Sequence, residues 1–294
     1  MQAKSLLYAR RIKGDIDLGL EPARISVGDR RWAEILTPGG RLPGGVEQGI
    51  LEVSLTQNYR MGTRRVVADR TYRYMLADTA YLLRAAYGVY PNITYAETGT
   101  AFANVTAGDY TVTLTAVAAV AADEFAEGIL SVEGGAGYGT NYRIKSNTIA
   151  AAPADQFIVT LWDPIVLGLT AVTEAITLFH SPWRNVHCIA EEIAAGVVAN
   201  LHKTSVIGIP NRFVPVSNYF WGQTWGPCMT IPAGGAEGVA DNERMMAFQE
   251  DGVVTRARYE VAGVLDMQIA GWVLPVTTAG AMPGLVEIML EITP

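Results

Sequence analysis

Histidine and cysteine are the residue types best suited to nucleophilic or metal chemistry, and this chain has only three histidines and two cysteines. They are His180, His187, His202, Cys188 and Cys228. Their spacing matches neither a zinc-binding pattern nor a Cys–His catalytic pair. On a strand, adjacent His187 and Cys188 would point to opposite faces. The sequence therefore predicts no metal site and two reduced, buried cysteines.

Carboxylates are the other candidate catalytic groups, because a pair of them can hydrolyse a glycosidic bond. Asp163, Glu191 and Glu192 are examples, but nothing in their surroundings distinguishes them from solvated surface charges. Asp163 precedes Pro164, a pattern typical of a turn. The sequence therefore predicts no catalytic pair and no enzyme.

The glycine-rich run over residues 134–139 superficially resembles a phosphate-binding loop. Such a loop needs a helix directly after it, so that free N–H groups point at the phosphates. The residues that follow, 140–145, have a strand-like pattern instead. The run therefore favours the tip of a β-hairpin, and no cofactor is predicted.

An aromatic run over residues 219–228 is the most distinctive feature of the chain. Its large aromatic residues are Tyr219, Phe220, Trp221 and Trp225. Strand alternation would place Tyr219 and Trp221 on one face and Phe220 on the other. A strand buried on both faces, or a subunit or partner interface, would explain the run. A sugar-binding platform is a third interpretation, although no polar cluster accompanies it.

Composition predicts a globular protein of 294 residues that has a sizeable core. Charged residues are 17% of the chain, below the roughly 25% usual for soluble domains. Either a large core or a surface covered by partners would explain this low value. No apolar run approaches the roughly 20 residues that span a bilayer, and no signal peptide is evident. We therefore expect synthesis in the cytoplasm and no membrane partner.

Charge is distributed unevenly along the chain. Residues 1–84 contain 14 Lys and Arg against 9 Asp and Glu, a balance of +5. Residues 85–294 contain 8 against 20, a balance of −12. We expect the basic N-terminal segment to dock on an acidic protein surface, through Arg10, Arg11, Lys13, Arg30 and Arg31. Nucleic-acid binding is less favoured, because carboxylates dilute the basic residues and no recognition module is present.

The chain divides into an extended N-terminal arm, residues 1–50, and a β-rich domain, residues 51–294. Two sub-lobes, about 51–185 and 186–294, are one way to divide that domain. Strands are predicted at 51–55, 66–67, 71–75, 110–115, 129–132, 142–145, 157–162, 175–179, 219–224, 255–264 and 285–292. A short helix is predicted at 78–87, and 191–200 is ambiguous. The pattern indicates a mainly β fold, an antiparallel β-sandwich or barrel with few short helices.

Several short motifs occur in order along the chain: GTRR at 62–65, DRTYRY at 69–74, EGILSV at 127–132, GTNYRIKSN at 139–147, VTLWDP at 159–164 and YFWGQTWGP at 219–227. Their order and spacing resemble those of the head decoration (cement) proteins of tailed bacteriophages. The resemblance runs from about residue 55 to the C-terminus.

This resemblance implies a β-rich structural protein on the outside of an icosahedral phage head. Relatives commonly form homotrimers at threefold positions and clamp neighbouring major capsid protein subunits. The implied localisation is the virion surface, and no catalytic residue comes with the family. The arm before residue 50 has no counterpart in it. Two alternatives remain: a phage fibre or other surface-binding virion protein that recognises host glycans, through Trp183 or Trp225, and a depolymerase or glycosidase.

Overall fold

The computed structural model describes residues 34–36, 40–91, 96–100, 103–170, 175–190, 205–233, 244–257, 268–274 and 285–293. The fold is mainly β, with antiparallel strands in two sheets, as the sequence predicts. The chain forms two compact units. The first contains Met1–Pro91 and Asn185–Pro294, and the second contains Asn92–Arg184. The second unit is thus inserted between two parts of the first.

The strands are named here in chain order. They are β1 (Glu34–Leu36), β2 (Arg64–Val67), β3 (Arg70–Leu76), β4 (Ala96–Thr100), β5 (Thr111–Thr115), β6 (Ile129–Val132), β7 (Asn141–Asn147), β8 (Gln156–Leu161), β9 (Ala175–Phe179), β10 (Ile209–Pro210), β11 (Tyr219–Thr230), β12 (Met245–Phe248), β13 (Val254–Arg256), β14 (Ile269–Val273) and β15 (Val286–Glu291).

The first unit is built on a nine-stranded sheet in the order β1-β2-β3-β11-β15-β14-β12-β13, with β10 paired to β11 off this path. The central strand β11 pairs with β3 through residues 219–225 and with β15 through residues 225–230. Pairing between β3 and β11 explains why residues 51–91 belong with the C-terminal part of the chain. The division into units therefore differs from the predicted sub-lobes, although both have a boundary near residue 185.

The second unit is a six-stranded antiparallel sheet in the order β4-β9-β6-β7-β8-β5. Alternate residues of its strands point into one core, and the burial of Phe157, Val159 and Leu161 on β8 shows this period of two. The glycine-rich run joins β6 to β7 through a 3-10 turn at Gly135–Gly137. The predicted hairpin is therefore confirmed.

A β-bulge divides β11 into its two pairing regions. The register with β3 shifts between Gln223 and Trp225, and Gly226 has a φ of +92°. An added Cβ at Gly226 would overlap the carbonyl oxygen of Asp69, so only glycine fits there. The sequence predicts that this strand ends at residue 224. That prediction is wrong, because the bulge accommodates Pro227 and pairing continues to Thr230.

Two other local predictions are wrong. Residues 51–55 alternate like a strand but form only an isolated bridge, between Ser54 and Tyr219, because the segment turns back within five residues. Residues 78–87 form no helix, since their backbone bonds go to distant segments, including those from Leu83 to Val214 and from Asp78 to Val186. Tertiary pairing here outweighs helix propensity.

Part of the predicted arm belongs to the first unit. Residues 34–36 pair with β2, and residues 40–50 contain the buried Gly40 and Gln48. The remaining arm residues, 1–33 and 37–39, lie outside the described ranges.

Candidate interaction surface

Four aromatic side chains in the first unit form a cluster, which we call the aromatic cluster: Tyr59, Tyr74, Tyr219 and Trp221. The Trp221 ring lies 4.9 Å from Tyr59 and 5.0 Å from Tyr74, both edge to face. Tyr219 stacks on Tyr74 at 5.8 Å. Such pairs add roughly 0.5–1.5 kcal/mol each beyond the area they bury. The cluster therefore holds β3 and β11 firmly to the segment that precedes β2.

Gln48 lies at the centre of this cluster and is almost completely buried. Its Nε2 donates to the carbonyl oxygens of Glu52 and Tyr219, both at 2.9 Å. Its Oε1 accepts from the Tyr74 hydroxyl at 2.8 Å and from Asn58 Nδ2 at 3.2 Å. Every hydrogen-bonding atom of the amide is thus satisfied, as burial requires.

The backbone of Gln48 is held as firmly as its side chain. Its carbonyl oxygen accepts from Trp221 Nε1 at 3.1 Å and from Arg65 Nη1. The Arg65 guanidinium also lies 5.3 Å from the centroid of the Trp221 ring, within the range of a cation–π contact. Burial raises the pKa of the Tyr74 hydroxyl, so that it remains a neutral donor well into the alkaline range. The cluster therefore holds the first residue of the segment 48–58 in place.

Two loops lie beside this cluster and expose large apolar side chains, which we call the loop patch. Its members are Val46, Leu51, Leu55, Phe213 and Val216. Leu55 is 77% exposed and Phe213 is 50% exposed.

The two loops of the patch are bonded to each other. Arg212 Nη1 donates to the Leu51 carbonyl oxygen at 2.6 Å. Ser54 and Tyr219 exchange two backbone hydrogen bonds, at 2.7 and 3.0 Å. An apolar surface on loops held this firmly is suited to binding another protein, because little conformational entropy is lost on association.

The residues of the aromatic run have different surroundings. Phe220 and Trp221 are buried within the first unit, whereas Tyr219 and Trp225 are partly exposed. Trp225 lies opposite Glu291 of β15, away from the aromatic cluster. The proposed docking residues Arg10, Arg11, Lys13, Arg30 and Arg31 lie outside the described residues.

The candidate chemical groups are dispersed or occupied. His180 Nε2 lies 3.2 Å from Glu124 Oε1, and its ring stacks on Phe125. Cys188 and Cys228 are free thiols, both buried, and burial raises the pKa of Cys228 to about 12. In the part of the chain that the structure describes, no cluster of three or more His, Cys, Asp or Glu could hold a metal ion.

Other predicted groups lie elsewhere. Asp163 is exposed in the second unit, and His202, Glu191 and Glu192 lie outside the described residues. None of the helices in the described ranges is long and apolar enough to span a membrane.

Sequence reasoning missed Gln48, Tyr59 and the loop patch. Gln48 lies in a glycine-rich segment with no periodic pattern, so nothing marked it as buried. The apolar alternation of Leu51 and Leu55 was the available signal. That alternation predicts a half-buried strand, whereas both side chains are exposed.

Comparison of the chain with protein-family models, with curated proteins and with solved structures gives no match.

Proposed function

We propose that this protein is a structural virion protein, a decoration protein that binds the outside of an icosahedral phage head and clamps neighbouring capsid subunits. The observation that carries this proposal is the loop patch, an exposed apolar surface fixed to the aromatic cluster. The resemblance of the sequence motifs to head decoration proteins supplies the identity of the partner.

The construction of the patch suits a clamp better than a catalyst. A clamp acts through surface complementarity, and its contacts need rigid support but no activated groups. Many weak contacts, repeated by symmetry, add through avidity because a bound oligomer engages several sites at once. A trimer at the threefold positions would supply this symmetry. The basic N-terminal segment would add a charged contact with an acidic protein surface.

Co-sedimentation with heads of the cognate phage that lack the protein tests the proposal. We expect the chain to bind, and the double substitution Leu51→Ser and Leu55→Ser to weaken binding by at least about tenfold, since full burial of one leucine side chain stabilises by roughly 1.5–3 kcal/mol. The control is Val117→Ser with Val166→Ser, two exposed residues of the second unit. Both double variants should fold, because exposed substitutions change stability by about 0.5 kcal/mol or less.

The outcomes separate the candidate functions. Equal binding by both double variants would remove the loop patch from the interface. Absence of head binding by the unmodified chain, together with glycan binding lost on Trp225→Ala, would favour the host-surface protein. Turnover of a capsular polysaccharide would favour the enzyme.

A further inference from the structure

A row of apolar side chains crosses four adjacent strands on the outward face of the nine-stranded sheet. It consists of Met245 on β12, Trp272 on β14, Met289 on β15 and Pro227 on β11. We call it the methionine–tryptophan row. Each member lies directly opposite the next in the strand register. Their Cβ atoms are therefore about 5 Å apart, and the side chains form one continuous strip.

The alternation of β15 shows that this strip faces outward. Val286, Ile288 and Leu290 point into the core of the first unit. Met289 lies between them in sequence, so it points to the opposite face. Trp272 is 43% exposed and Met245 is 55% exposed. The row is thus a second exposed apolar surface, separate in sequence from the loop patch.

Carboxylates border the row. Glu287 and Glu291 lie two residues on either side of Met289, and they share its face. Neither forms an ion pair with another described residue. Glu287 lies opposite Met229 and Glu291 opposite Trp225, so the border extends onto β11. None of the described outward positions on these strands is basic.

We propose that the methionine–tryptophan row binds a cationic, apolar segment of a partner protein, with Lys or Arg side chains paired to Glu287 and Glu291. Methionine adapts to varied apolar shapes, and tryptophan is enriched at binding hot spots. The row's acidic border complements a cationic segment. A second copy meeting the row with its own row would be a poor fit, because such an isologous contact would bring the same carboxylates together.

This inference deepens the proposed function. It rests on that function only for the source of the cationic segment, which would be a subunit of the phage shell. The binding itself does not depend on that source. The balance of −12 over residues 85–294 would also steer a cationic segment toward this part of the chain. The second surface would let one copy contact the shell at two places.

Fluorescence anisotropy with the full-length chain tests the proposal. The probe is a labelled short peptide of alternating leucine and lysine, and the matched probe has glutamate in place of lysine. We expect the leucine–lysine peptide to bind and the leucine–glutamate peptide not to bind. Trp272→Ala should weaken binding at least about tenfold. Glu287→Gln with Glu291→Gln should weaken it about 2- to 30-fold, less at high salt.

Matched variants in the second unit control for general charge and hydrophobicity. Glu133→Gln with Asp163→Gln makes the same change in net charge, and Tyr138→Ala removes another exposed aromatic side chain. Neither control should change the affinity. Equal binding of the leucine–lysine peptide by all variants, binding of both peptides, or no binding would each overturn the proposal. Self-association lost in Trp272→Ala, without peptide binding, would assign the row to a second copy instead.

The peptide assay and the head-binding assay fail independently. Peptide binding without head binding would overturn the proposed function and leave the row as a docking site for another cationic partner. Head binding without peptide binding would overturn the assignment of the row and leave the decoration function standing.

Discussion

Replacing Gln48 with methionine tests whether the buried amide holds the aromatic cluster together. Methionine keeps a similar volume but forms none of the four side-chain hydrogen bonds. The Tyr74 hydroxyl loses the one acceptor described for its proton, which is Gln48 Oε1. The Glu52 carbonyl oxygen loses the one donor described for it, which is Gln48 Nε2. Each unsatisfied buried group costs about 1–3 kcal/mol. We therefore expect Gln48→Met to lower the free energy of unfolding by about 2–6 kcal/mol.

The matched control is Gln57→Met, which removes a single hydrogen bond, from Gln57 Nε2 to the Tyr59 carbonyl oxygen. It should lower the free energy of unfolding by about 0.5–1.5 kcal/mol. Urea unfolding followed by near-ultraviolet circular dichroism measures both, because the asymmetric packing of the aromatic cluster contributes to that signal. Equal effects of the two substitutions would refute the central role of Gln48.

The same substitution should also loosen the loop patch. Leu51 and Leu55 lie between Gln48 and Asn58, whose side chains hydrogen-bond to each other. Under conditions in which Gln48→Met remains folded, we expect faster proteolysis within residues 49–57 and weaker head binding. Unchanged proteolysis would show that the loop is held by other contacts, such as the one from Arg212.

Three further predictions follow from single sites. Gly226→Ala should lower stability by at least about 2 kcal/mol in urea unfolding, since its Cβ would overlap Asp69. Gly44 also has a positive φ, of +76°, but has open space around it, so Gly44→Ala should lower stability by only about 1 kcal/mol. Asn147→Leu should reduce amide protection in the second unit but not in the first, because the Asn147 side chain forms three hydrogen bonds to the backbone there. In the folded protein, burial raises the pKa of the Cys228 thiol from 9.0 to about 12. The buried neutral thiol therefore contributes fully to folding stability below about pH 9, and this contribution is lost as the pH rises toward 12. Cys228→Ala should therefore make the alkaline loss of urea resistance shallower; an unchanged slope would contradict this.

The sequence predicts the strands whose side chains alternate between core and solvent. For β5, β8 and β15 the apolar residues at every second position are those that the structure buries. β9 has the predicted bounds, Ala175–Phe179. In these strands the local pattern and the tertiary environment agree, so a single sequence is enough to predict the strand and its buried face.

Strands without that alternation were not predicted. β4, β10 and β14 are short or interrupted by glycine, and they exist because a neighbouring strand offers them backbone partners. The insertion of the second unit was missed for a related reason. The pairing of β3 with β11 joins segments about 150 residues apart, and nothing local in either segment indicates it.

The candidate surfaces were predicted only in part. The aromatic run identified Trp221, but its partners Tyr59 and Gln48 come from a segment that has no regular pattern. The methionine–tryptophan row depends on the register of four strands, and a bulge in β14 changes which of its residues face outward. A sequence shows alternation within a strand, whereas a surface of this kind requires knowledge of which strands are neighbours.

The decoration function is tested most directly by counting the copies bound per head at saturation, with cognate heads that lack the protein. We expect saturable binding at a number set by the threefold positions of the shell, with bound protein on the outer surface. Absence of binding, or binding that rises without saturation and without a fixed number per head, would contradict the proposal that this protein is a head decoration protein.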